Sequence, residues 1–161
     1  MTSICLLCHG RLPQPLRKKR LCQASKLCAK AAQDWSRPDT PWQELTIHLI
    51  HDAISAQVNA DILGHEGPTD VITQAYAPIP GEPPGLIGEL YVNIDEAARM
   101  VQRLGKTTLE AELILYIAHG CDHLTGADDA TPSERAQMRR RDLRWRRFAL
   151  AHMHDTTNTV C

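Results

Sequence analysis

Apolar and polar positions alternate along four short stretches of the chain and recur at helical spacing along four longer ones. Ser3–Cys8 is apolar and short, as a first strand is. Over residues 16–34, Leu16, Leu21, Ala24, Leu27, Cys28 and Ala31 fall at near-helical spacing, which predicts an amphipathic helix with a basic outer face. Leu45–His51 alternates with period two and reads as a strand. Asp52 is placed to cap a short helix reaching Val58. Gly64–Thr69 reads as a turn and Asp70–Tyr76 as a third strand. Pro78–Gly85 carries four prolines and two glycines, so it is expected to be an exposed loop.

Glu89–Ile94 alternates as a fourth strand, and residues 95–104 form a helix with Ala97, Val101 and Leu104 inward. Thr107 with Glu110 has the form of a capping box opening the most apolar helix, Leu109–Leu124. Thr131, Pro132 and Glu134 announce a further helix, rich in arginine and reaching about Ala151. Residues 155–161 are expected to fray. Strands and helices interleave without repeats. The expectation is one α+β domain over residues 1–154, with a mixed sheet of about four strands packed by helices.

Charge adds a pattern that the net value of −1 hides. Residues 1–37 carry eight Lys/Arg against Asp34 alone, residues 38–130 carry three bases against fifteen acids, and residues 131–161 carry seven Arg against three acids. Basic ends of this kind suit phosphate backbones, and equally suit solvated helix faces. No apolar run approaches the ~20 residues of a membrane-spanning helix. Met1–Gly10 lacks the basic start of an export signal, so a cytoplasmic protein is expected, with its six cysteines as reduced thiols. Cys5-Leu6-Leu7-Cys8-His9 has the form of a haem-attachment motif. Its apolar flank, Ile4, Leu6 and Leu7, reads instead as a buried strand carrying thiols.

The chemistry concentrates in residues 119–129, His-Gly-Cys-Asp-His-Leu-Thr-Gly-Ala-Asp-Asp. Two histidines four apart on a helix share one face, with Cβ atoms roughly 5–6 Å apart. Zn–N bonds of about 2.0–2.1 Å can be made from that spacing. Gly126 can end the helix and turn the chain back, so that Asp128 or Asp129 supplies a carboxylate ligand. Three protein ligands leave one position open, as catalytic zinc requires. Metalloproteases place a glutamate directly after the first histidine. Gly120 stands there, which disfavours peptide hydrolysis and suggests that something packs closely against the helix.

These residues resemble the YbeY-type endoribonucleases, bacterial rRNA maturation factors with the signature His-Gly-x-x-His-Leu-x-Gly-x-Asp-His. His119, Gly120, His123, Leu124, Gly126 and Asp128 fit it. Val58-Asn59, Pro68-Thr69-Asp70-Val71-Ile72 and Ile87-Gly88-Glu89-Leu90 fit three further family stretches in the same order, so the resemblance covers about residues 45–145. It implies a zinc-dependent, single-strand-specific endoribonuclease acting in 16S rRNA 3′-end maturation, with ribosomal RNA and the small ribosomal subunit as partners. The ligands would be His119, His123 and Asp129, at the end of a buried central helix. Asp128, with His119 and His123, is the candidate catalytic set, Asp128 orienting a ligand histidine or acting as general base. His65 is a weaker candidate for the latter role.

The chain departs from the family pattern in four places. Asp129 replaces the third histidine, making a two-His, one-carboxylate set that also suits Fe(II). Leu63 falls where the family carries an arginine able to hold phosphate. Asp122 and Gln74 stand at positions typically apolar, and Asp122 is expected to be solvated if it faces away from the site. The alternative expectation is a non-catalytic ribosome assembly factor whose metal is structural.

Overall fold

In the computed structural model, which describes residues 3–153, the strands are β1 (Ser3–Cys8), β2 (Trp42–Ile50), β3 (Val71–Tyr76) and β4 (Leu86–Asn93). The helices are α1 (Lys18–Ser36), α2 (Asp52–Leu63), α3 (Ile94–Leu104), α4 (Leu109–Leu124) and α5 (Pro132–His152). The sheet order is β1-β2-β4-β3. β1 and β4 run parallel to β2, while β3 is antiparallel to β4. This is the α+β class with a four-stranded mixed sheet that the alternation predicts. Residues 155–161, expected to fray, lie outside the described residues.

Alternation sorts the strands into faces. Leu45, Ile47 and Leu49 of β2 are fully buried, and their registers pair Ile47 with Leu6 and Leu90, and Leu49 with Val92. On this side lie α1, α4 and α5, packed on one another and joined to the strands through Leu21, Cys28, Ile114, Ile117 and Trp145. The other parity of the same strands carries a polar network. The His48 ring stacks on Tyr91 at 4.6 Å, and Glu89 accepts hydrogen bonds from the hydroxyls of Tyr91 (2.7 Å) and Tyr76 (2.9 Å). Among the described residues, no helix is long and apolar enough to cross a membrane.

Gly120 marks the tightest approach of α4 to the sheet. A Cβ there would lie 2.6 Å from Cδ2 of Leu90, which is itself fully buried. Gly88 makes the matching allowance on β4, where a Cβ would meet Leu124 at 2.9 Å. The glycine that replaces a protease glutamate is therefore a packing requirement.

Several expectations change. Asp52 is the first residue of α2 rather than its cap. Its carboxylate instead accepts from Asn93 Nδ2 (2.8 Å) and from both Nη atoms of Arg99 (2.7 and 2.8 Å), and the helix runs on to Leu63. Thr108, not Thr107, caps α4 through Ala111 N, because Glu110 is drawn into an ion pair with Arg20 at 2.8 Å. Leu104 and Leu7 are exposed, since each sits on the outer side of its element. Cys5, Cys8, Cys28 and Cys121 are free thiols as expected, but Cys22 is disulfide-bonded. His9 does not join the nearby thiols; its Nε2 lies 2.8 Å from Nδ1 of His48.

Asp122 is not solvated. It is buried, and its Oδ2 is held by Arg141 of α5 at 2.8 Å (Nη2) and 3.0 Å (Nε). Burial pushes its carboxyl pKa upward, with Arg141 opposing. Its partner lies 19 residues away on another helix, beyond the reach of local spacing.

Candidate metal centre

The centre is built by how α4 ends. The helix is apolar through Ala118, so its buried length fixes the azimuth of its last two turns. His119 and His123 emerge there on one side, half-buried. Gly126 then adopts φ +108°, and its N–H donates to His123 O at 2.9 Å while Ala127 N–H donates to Asp122 O at 3.1 Å. That pair of bonds is a Schellman termination, which closes the last carbonyls and reverses the chain. The reversal brings the Ala127 carbonyl to His123 and returns Asp129 toward the same histidine.

One ligand atom from each of His119, His123 and Asp129 lies within 4.8 Å of the other two. The two Nε2 atoms are 3.1 Å apart, and Oδ2 of Asp129 is 3.9 Å from His123 Nε2. Tetrahedral zinc with bonds of about 2.0–2.1 Å needs nitrogens about 3.3 Å apart, so the pair is near that spacing. The tautomers follow from the partners. Ala127 O can only accept, so Nδ1 of His123, 3.1 Å away, donates to it. Nδ1 of His119 donates to Oδ2 of Asp142 at 2.9 Å. Both Nε2 lone pairs then face each other, an arrangement that repels unless a cation lies between them.

Asp142 adds a second sign of fit. It is buried, its Oδ1 has no hydrogen-bond partner among the described residues, and its Oδ2 lies against His119. Burial lowers the His119 pKa, but the hydrogen bond and charge of Asp142, helped by Asp70 and Asp129, outweigh it and the net shift is upward. Positive charge is thus favoured at this imidazole, and a divalent ion would supply it.

The predicted residues separate into two groups. His119, His123 and Asp129 come together. Asp128 is exposed, and its Oδ1 accepts from Asp129 N–H at 2.8 Å, which sets the ligand loop rather than a histidine. The orienting role considered for it falls to Asp142. His65 is exposed in the turn after α2 and is not part of the ligand group. His48 and His51 have separate partners, His9 and Asp95. Asp142 was not anticipated, although it carries a signal. Met138, Asp142, Trp145 and Ala149 are the buried stripe of α5, so an aspartate occupies an apolar position.

A cavity of about 460 Å³ opens beside the ligands, lined by Asp70, Tyr116, His119, Asp129, Arg135 and Arg139 among others. A neighbouring cavity of about 430 Å³ shares Asp70, Tyr116 and Arg139 with it. The Tyr116 hydroxyl is buried without a partner among the described residues. Arg135 Nη1 donates to the carbonyls of Asp129 (2.8 Å) and Ala130 (2.9 Å), which holds the ligand loop in place. Arg139 is exposed at the junction of the two cavities.

The family model described as Endoribonuclease YbeY matches residues 14–146. A curated relative of that name from Chlorobium phaeovibrioides is 37% identical over 102 residues, covering 62% of this chain and 64% of its own. One from Rhodopirellula baltica is 35% identical, covering 60% and 49%, and one from Chlorobium chlorochromatii is 30% identical, covering 80% and 76%. The chain thus spans less than two thirds of the first two relatives. The solution structure of TM1509 from Thermotoga maritima superposes with a TM-score of 0.56 at 18% identity, over 96% of this chain and 97% of that one, a likeness of fold.

Proposed function

This chain belongs to the Endoribonuclease YbeY family, and on that premise we propose that it is a zinc-dependent, single-strand-specific endoribonuclease of 16S rRNA 3′-end maturation. Its partners are ribosomal RNA and the small ribosomal subunit, its place is the cytoplasm, and residues 1–154 form the hydrolase unit. The observation that carries the reading is the pair of Nε2 atoms 3.1 Å apart, facing Asp129 at the edge of an arginine-lined cavity.

His119, His123 and Asp129 are the ligands in this reading. An ion held there supplies Lewis acidity toward a phosphoryl oxygen and acidifies the attacking water. Asp142 holds His119 in the ligating tautomer, and Ala127 O does the same for His123. The Tyr116 hydroxyl, lacking a protein partner, donates to the substrate. Arg139 takes the phosphate contact that the family arginine would be able to make, since Leu63 is exposed at the end of α2 and offers none. Asp128 remains the candidate to receive a proton, from its exposed position beside Asp129.

A second reading is an assembly factor with a structural metal, motivated by Leu63 and by Asp129 in place of the family's third histidine. Cleavage of structured RNA with unpaired segments, assayed with zinc and with chelator, separates the two. The endoribonuclease reading expects cutting that chelator stops and that His123→Ala lowers by at least about 100-fold with the fold intact. Binding without cutting, with unfolding on metal removal, favours the assembly factor.

A further inference from the structure

The last turn of α1 places Trp35 outside the core, 57% exposed, whereas Trp42 and Trp145 are buried at 3% and 6%. The guanidinium of Arg144 sits 5.4 Å from the Trp35 ring centroid and that of Arg141 sits 5.8 Å away. Gln137, Arg140, Arg141 and Arg144 recur at helical spacing on α5 and, with Trp35, line a groove of about 290 Å³. That volume is at the low end for small-ligand sites. Arg141 is committed to buried Asp122, but Arg140 and Arg144 are exposed and have no acidic partner among the described residues.

Arg141 and Arg144 lie over the Trp35 ring as cation–π partners, and more than half of the side chain is left open to a further ligand. The charge of Arg140 and Arg144 and the plane of Trp35 complement an unpaired nucleotide. Every base has a π face to stack, and each phosphate can take a guanidinium. Duplex RNA offers no free base face. The end of α1 also touches the turn that precedes the ligand loop. Arg37, two residues beyond Trp35, donates from Nε to Thr125 O, and its guanidinium lies beside Gly126 at the start of the loop carrying Asp129.

We propose that Trp35, flanked by Arg140 and Arg144, is a stacking site for one unpaired nucleotide of single-stranded RNA, outside the metal centre. This rests on the endoribonuclease reading for the choice of RNA, but not for the stacking.

The test separates binding from cutting. Binding is measured in the full-length His123→Ala protein with a single-stranded oligoadenylate of about ten nucleotides, and with the same strand in a duplex. Trp35→Ala is expected to weaken single-strand binding by roughly 5- to 150-fold, and Trp35→Phe to restore most of it. Single-strand binding should quench the exposed tryptophan emission, a response absent from Trp35→Phe. Arg140→Ala with Arg144→Ala should lower the slope of log affinity against log salt by about 1.4, for two phosphates released. Unchanged single-strand affinity in Trp35→Ala, or an equal loss for duplex, overturns the proposal. RNA cleavage by the His123-containing protein is scored separately. If the protein never cuts yet binds through Trp35, the endoribonuclease reading falls and the stacking site stands; if it cuts but Trp35→Ala binds as before, the reverse holds.

Discussion

Nδ1 of His119 lies 2.9 Å from Oδ2 of Asp142, a buried carboxylate that α5 brings across 23 positions of sequence to a histidine of α4. The contact fixes the tautomer, so Nε2 is the atom offered to a metal. Replacing Asp142 by Asn keeps an acceptor near Nδ1 and removes the charge. Zinc affinity is then expected to fall about 10- to 100-fold. Competition with a colorimetric chelator measures it, and an unchanged affinity at unchanged stability would mean that His119 needs no such partner.

Asp122, fully buried, is paired with Arg141, the neighbour of Asp142 on α5. Arg141→Met alone strands a carboxylate in the core and should cost about 3–5 kcal/mol in urea unfolding. Adding Asp122→Leu should recover most of that loss, because the desolvation that the pair was offsetting disappears. A double variant as unstable as the single one would show that the helices depend on the pair for their geometry.

Acid should loosen the α2–α3 junction. The hydrogen bonds from Arg99 to Asp52, then that from Asn93, lower its pKa to about 2 from an ordinary 3.8, with burial opposing. A depressed carboxylate contributes stability above its unfolded pKa and loses it as pH falls from about 4 toward 2. Asp52 is partly exposed, so the contribution is about 1 kcal/mol or less after screening. Asp52→Asn should therefore flatten the pH dependence of the urea midpoint in that window only. Parallel curves for the variant and the unmodified protein would refute the assignment.

Gly120→Ala tests the packing of α4 on β4. Alanine favours the helix by about 1 kcal/mol, but its methyl would collide with the fully buried Leu90 side chain, which would have to shift. Overpacking of this kind costs about 1–3 kcal/mol, so a net destabilisation of up to ~2 kcal/mol is expected by thermal or urea unfolding. Pairing it with Leu90→Val should return part of it.

Much of the site is local, and so was legible. A spacing of four residues on a helix puts His119 beside His123 whatever surrounds them, and Gly126 is the residue that a left-handed helix termination favours. Asp129 follows within the same turn, so its candidacy needed no tertiary information. The strands were legible because one sheet face is buried, which forces the alternation of Leu45, Ile47 and Leu49 with Glu44, Thr46 and His48.

What remained depended on which helices touch. Asp142 and Asp122 both reverse the usual rule that aspartate is solvated, and each does so because a partner arrives from another element. The same packing of α5 on α1 and α4 turns linear runs of arginine into separate faces. Arg135 and Arg139 meet the metal cavity, and Arg140 and Arg144 meet Trp35. Helical periodicity alone says that these residues diverge. Only the azimuth of α5, set by burying Met138, Trp145 and Ala149, decides where each of them points.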